Sequence, residues 1–203
     1  MLLNIFWRMR APQRARIKPL RLTWIRIDRA LRKATPARYS VADLRAACAV
    51  KQIRYEETPV YDKLRGVVVR YARTSIISIK ESLPEPEKLV VLAHELGHVA
   101  LDHTQSSSSF LLPPPDESRP FAHNPEIEQQ ARVWAAHLLV RSEVFERFLR
   151  EAKVTSRDEK LALRAAIRQT ASALNVPTTT VKLWTETRDW SFPEAPRSWL
   201  MHP

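Results

Sequence analysis

The sequence predicts an α+β protein, and three observations carry that expectation. Three short runs, two of them rich in β-branched residues and one alternating, lie together between residues 51 and 80, each of about strand length. After residue 84 the apolar residues recur at helical rather than strand spacing. The 203 residues are 44% hydrophobic and 27% charged, enough for one ordinary domain with a real core plus an appendage.

The appendage comes first. Residues 1–38 are basic and broken by Pro12, Pro19 and Pro36, with a helical stretch over 20–31 that sets Trp24, Ile27 and Leu31 on one face. Ser40 is a good N-cap for a short amphipathic helix over 41–50. Residues 51–57 (KQIRYEE) alternate and read as a strand; GVVVRYA from Gly66 and TSIISIK from Thr74 read as two more, joined as a hairpin around Arg73 and Thr74. Pro84 and Pro86 close the strand region. A helix then starts near Glu85 and Glu87, whose charges suit its dipole, and runs to about His103. Residues 104–125 hold four consecutive serines and three consecutive prolines and form a loop. The next helix, EIEQQARVWAAHLLV, places Ile127, Ala131, Trp134, Leu138 and Leu139 at helical spacing. Helices over 142–152 and 156–174 follow, then a turn and a short helix over 175–184. No internal repeat is present.

Charge and cysteine usage bound the setting. The net charge is +11, yet residues 1–38 hold nine Arg and two Lys against one Asp, a net of +10, which leaves +1 for the rest. Such an arm suits contact with nucleic acid or an acidic surface, although no base-reading motif accompanies it. Cys48 is the single cysteine, so neither an internal disulfide nor a cysteine zinc cluster can form, and a reducing cytoplasm is the expected compartment. Charges interrupt every apolar stretch before the roughly 18 residues of a membrane span. The opening MLLNIFWRMR puts its apolar patch ahead of its charges, the reverse of a secretory signal.

The chemistry sits in His94-Glu95-Leu96-Gly97-His98, an H-E-x-x-H sequence. Residues four apart on a helix share a face one turn apart, so His94 and His98 can reach one ion. Glu95 lies one residue round from that line and can address a water on the ion without ligating it. Zinc lowers the pKa of bound water to roughly 7, and a carboxylate beside that water can take its proton and pass it to a leaving amine. The context strengthens the reading: the two histidines and the glutamate lie in an apolar helix, where burial is costly without partners. Gly97 is one of only two glycines in the chain, placed mid-helix at about 1 kcal/mol relative to Ala, and suits close packing beside a metal.

A third protein ligand is needed. The pattern H-E-x-x-H-x-x-G-x-x-H is excluded, because Leu101 stands at its glycine and Thr104 at its last histidine. His103, five positions after His98 and about 140° round a helix from it, suits a role behind the ligands or on the surface rather than ligation. The alternative is a glutamate from the following helix, either Glu126 or Glu128. Both also suit that helix's first turn.

AHELGHVALDH, followed after a loop by ExxAxxWAAxLL, resembles the ImmA/IrrE family of zinc metallopeptidases. The similarity spans roughly residues 40–190 and includes RGVVVR upstream and LNVPTTTVKLW downstream. Aligned on the alanines, Glu128 takes the family's third-ligand position, Ala131 its small residue and Trp134 its usual Phe. Other departures are Val140-Arg141 where Met-Pro is common and the Ser/Pro loop; none touches the ligand set. The resemblance implies a small zincin-like core over 39–150, a helical C-terminal subdomain over 151–203, and the basic extension 1–38 left unexplained. It also implies a gluzincin-type Zn2+ site of His94, His98 and Glu128, with Glu95 catalytic. The implied activity is the cleavage of helix-turn-helix transcriptional repressors, which releases stress or mobile-element genes.

Two other functions compete. The basic arm, together with QTASALNVPTTTVKLW, which resembles the second half of a helix-turn-helix, would make a DNA-associated regulator, although Leu, Val and Trp in that loose pattern are more often plain core. A zinc protein that binds its partner without catalysis is the other reading, and the intact Glu95 argues against it. His123, His137 and Tyr61 are candidate oxyanion donors.

Overall fold

The computed structural model describes residues 38–59, 65–71, 74–103, 125–191 and 199–200. The expected helix over 20–31, the turn at 72–73, and the loop from 104 to 124 lie outside the described residues.

Helix α1 (Val41–Val50) begins at a reciprocal cap: the Asp43 amide donates to Ser40 Oγ, and the Ser40 amide donates to the Asp43 carboxylate. Leu44 and Cys48 face the core. The helix closes on a left-handed Gln52 (φ 56°), with the Gln52 amide bonded to Ala49 O and the Ile53 amide to Cys48 O. That closure absorbs the start of the expected first strand, so β1 is Arg54–Thr58.

Strands β2 (Gly66–Tyr71) and β3 (Thr74–Lys80) pair antiparallel, with Val68 opposite Ile77. Strand β1 joins the other side of β3 in parallel, giving a mixed sheet of order β1-β3-β2. Ser75, Ile77 and Ile79 alternate onto the buried face. Helix α2 (Glu85–Ala100) packs on β2 and β3 with Leu89, Leu92, Ala93 and Leu96 buried.

Helix α3 (Pro125–Leu139) lies against α2. Helices α4 (Ser142–Thr155) and α5 (Glu159–Leu174) pack together, and α6 (Thr178–Thr187) rests on both α3 and α5. Asn175 ends α5 in a left-handed conformation (φ 56°), which Asn tolerates better than most residues. Phe145 and Trp184 meet edge to face at 5.2 Å between ring centroids, and Trp134 meets Trp199 at 5.7 Å. Among the described residues no helix is long and apolar enough to cross a membrane. The expectation of a small mixed sheet with an active-site helix and a helical C-terminal part therefore holds.

Candidate metal centre

His94 and His98 project from one face of α2, their Nε2 atoms 3.1 Å apart. Glu128 arrives from the first turn of α3: Oε2 lies 3.2 Å from His94 Nε2, and Oε1 lies 3.4 Å from His98 Nε2. Ligand atoms of the three residues all lie within 4.8 Å of one another. At zinc–ligand distances of ~2.0–2.2 Å, neighbouring atoms of a tetrahedron stand about 3.3 Å apart. The two imidazole nitrogens stand close to that spacing with one Glu128 oxygen near each, and two imidazole nitrogens with a carboxylate are a donor set for a divalent cation.

Gly97 explains how α3 comes so close. A Cβ on Gly97 would meet the Ala131 backbone at 3.0 Å (O) and 3.3 Å (Cα), and Trp134 Cε3 at 3.3 Å. Ala131 is one helical turn beyond Glu128. The two helices therefore touch almost backbone to backbone where Gly97 sits, and that approach delivers the Glu128 carboxylate to the histidines.

Glu95 is 6% exposed and faces β2, not solvent. Its carboxyl is pushed up to about 8, mainly by burial and further by the Glu128 charge, against a hydrogen bond from the Val68 backbone. The other glycine, Gly66, makes room for it: a Cβ there would clash with Val91 Cγ1 and meet Ile79 Cδ1 at 3.0 Å and Glu95 Oε1 at 3.2 Å. His94 is held below the usual histidine range by burial first, with the Glu128 carboxylate opposing and the Arg132 charge adding. His103 is also held down, chiefly by burial.

Residues 52–182 match the peptidase M78 family, described as the IrrE N-terminal-like domain. The chain belongs to this metallopeptidase family. No curated protein and no solved structure matches it. The match runs from the turn before β1 into α6 and leaves out α1 and the basic extension.

In this peptidase the structure separates residues that the sequence left side by side. Glu128 joins the two histidines, whereas Glu126 is exposed and stands outside the group. His103 directs Nδ1 to His98 Nδ1 at 3.3 Å and Nε2 to Gln130 Oε1 at 3.1 Å, so neither nitrogen points to the ligand triangle. His137 contacts the Thr187 carbonyl at 2.9 Å and ties α3 to α6, away from the centre. His123 and Tyr61 lie outside the described residues. In LNVPTTTVKLW, Leu174, Val176, Val181 and Trp184 are buried core. Sequence reasoning missed Gln130 and the role of Gly66. The scarcity of glycine that singled out Gly97 pointed equally to Gly66; nothing local marked Gln130.

Proposed function

We propose that this protein is a zinc-dependent endopeptidase of gluzincin type, and that its substrate is a helix-turn-helix transcriptional repressor whose loss releases stress or mobile-element genes. The peptidase reading is carried by the convergence of His94, His98 and Glu128 at 3.1–3.4 Å, with the buried Glu95 adjoining them. The repressor rests on the family resemblance.

Zinc held by the three ligands would acidify a water, polarise the scissile carbonyl and favour the ionised form of Glu95. Glu95 then takes the proton of the attacking water and returns it to the departing amide nitrogen; the C–N bond breaks, leaving a carboxylate and an amine. The Val68 backbone and the space at Gly66 hold Glu95 in place for both transfers. Among the described residues β2 has a sheet neighbour on one side only. Arg65 pairs with Lys80 by a 2.9 Å backbone bond, so by alternation Gly66, Val68 and Arg70 turn their backbone groups outward. The outward Val68 amide is taken by Glu95, so an extended substrate segment can pair along that edge at the backbone of Gly66 and Arg70.

In this reading 39–150 is the catalytic core and 151–203 a helical subdomain. The basic extension 1–38 guides the enzyme to a repressor on DNA, and the single cysteine suits the cytoplasm. The decisive experiment follows intact candidate repressor and zinc content together. Glu95→Gln is nearly isosteric and should keep zinc while losing roughly 10²–10⁴-fold of cleavage; His94→Ala should lose metal and activity together. Wild-type cleavage by zinc-loaded Glu95→Gln would overturn the mechanism and leave zinc with a structural role.

A further inference from the structure

His103 stands outside the ligand triangle, yet the chain turns back sharply to place it. Helix α2 ends with Leu101 as its cap; the Asp102 amide then bonds to Val99 O at 3.1 Å and the His103 amide to His98 O at 2.9 Å. This is a Schellman closure, and it requires the residue between to be left-handed. Asp102 is left-handed, φ 55°, although it is not glycine. Its carboxylate takes a 2.7 Å ion pair from Arg70 on β2, but the two side chains are 38% and 51% exposed. Such an exposed pair contributes little, so the two backbone bonds are the main fastening. Because the chain leaves the helix there, the helical angle that would carry His103 away from His98 no longer applies.

The result is a line of three side chains: His98 Nδ1, His103 Nδ1 at 3.3 Å, then His103 Nε2 to Gln130 Oε1 at 3.1 Å. Gln130 sits two residues beyond Glu128, so the line begins on one ligand-bearing helix and ends on the other. A ligating His98 needs its Nε2 lone pair free, which puts its proton on Nδ1. Then His103 Nδ1 must accept, His103 Nε2 must carry the proton, and Gln130 Oε1 must accept it. Every donor finds an acceptor in that single arrangement.

We propose that His103 is a positioning residue: by accepting the His98 Nδ1 proton, and being itself oriented by Gln130, it holds His98 in the tautomer and ring orientation that aim Nε2 at the metal. This rests on reading His94, His98 and Glu128 as the metal ligands. A partner on the far nitrogen of a ligating imidazole typically changes metal affinity by 10–100-fold.

The test compares full-length wild type, His103→Phe, His103→Gln and Gln130→Leu. Long-range ¹H–¹⁵N NMR of metal-free protein at about pH 8, where imidazoles are neutral, reads the His98 tautomer directly. Wild type should show the Nδ1–H form, His103→Phe should lose it, and His103→Gln, whose carbonyl can accept, should recover it in part. Competition with a chromophoric chelator should show zinc bound roughly 10–100-fold more weakly by His103→Phe, with a smaller loss for Gln130→Leu. Melting temperatures should stay close to wild type throughout, which separates positioning from general structural damage. An Nδ1–H His98 in His103→Phe, or unchanged zinc affinity in that variant, overturns the proposal. Failure of the ligand reading looks different: His94→Ala would then bind zinc like wild type, while the tautomer measurement would still decide the role of His103.

Discussion

The α2–α3 crossing and the α4–α5–α6 layer are both buried helix contacts, yet they bury different chemistry. The buried polar residues of the crossing are ionisable, Glu95 at 6% exposure and His98 at 8%, whereas those of α5 and α6 are threonines: Thr170, Thr180 and Thr187. Burying a hydroxyl costs roughly 1–3 kcal/mol without a partner, and an unpaired ionised carboxylate costs far more. Thr187 offsets its cost by donating to Leu183 O at 2.8 Å. Glu95 has a backbone partner at Val68, and burial still pushes its carboxyl up to about 8. The crossing therefore holds residues that favour chemistry over stability, and the apolar contacts around Phe145 and Trp184 offset that cost.

The sharpest way to break this contrast is Phe145→Ala. Phe145 is 1% exposed and stacks edge to face on Trp184, so truncation should cost about 3–5 kcal/mol in urea unfolding. His98→Ala should abolish tight zinc binding with much less effect on the unfolding of metal-free protein. A Phe145→Ala loss below about 1 kcal/mol would mean that the C-terminal layer is not the stabilising half.

Gly97→Ala probes the crossing itself. The added methyl meets Ala131 backbone at 3.0 Å, which cannot rotate away, so α3 must shift at about 1–3 kcal/mol. Zinc affinity should fall as Glu128 is displaced. Ala166→Val in α5 is the matched control: Ala166 is fully buried, so stability should drop while chelator competition stays at the wild-type value. Equal zinc affinity in Gly97→Ala and wild type would separate helix spacing from ligand geometry.

A smaller effect belongs to the sheet side. Glu57 is held below the usual carboxylate range first by its hydrogen bond from Lys88 and then by one from Tyr55. A depressed carboxyl contributes stability that is present above its unfolded pKa of about 4.3 and is lost as pH falls through the folded value. Lys88→Met should therefore destabilise by under about 1 kcal/mol near neutrality, with the difference from wild type closing as the solution is acidified below about pH 4. A difference independent of pH would assign the loss to packing of the lysine stem. Smallest is Cys48, whose thiol burial pushes up to about 11. At about pH 8 its thiolate population should be roughly 100-fold below that of an exposed thiol, and labelling should accelerate only when urea unfolds α1.

Much of the fold was legible because its signals are local. Ser40 and Asp43 sit three residues apart, and the capping box needs nothing else. The alternation of TSIISIK became β3 from Thr74 to Lys80 without adjustment. The first strand was placed too early because the closure at Gln52 depends on a left-handed residue that is not glycine. The N-terminus of α2 followed from Pro84 and Pro86. The parallel pairing of β1 with β3 had no sequence mark, since it joins segments about 20 residues apart across β2.

The sequence by itself determined the pair His94 and His98, with Glu95 one step round the helix, because 3.6 residues per turn is a property of any helix that forms there. It left Glu126 and Glu128 as equal occupants of a first turn until the family resemblance ranked them. It also placed His103 as though α2 continued. Tertiary structure decided both. Which glutamate reaches the histidines depends on how α3 lies against α2, and that follows from the missing Cβ of Gly97 against Ala131. Where His103 goes depends on α2 closing at Leu101 and on Gln130 standing across from it. Glu95 became a buried carboxyl because Gly66, 29 positions earlier, leaves space under β2. Each of these rests on a contact between segments that no spacing along the chain encodes.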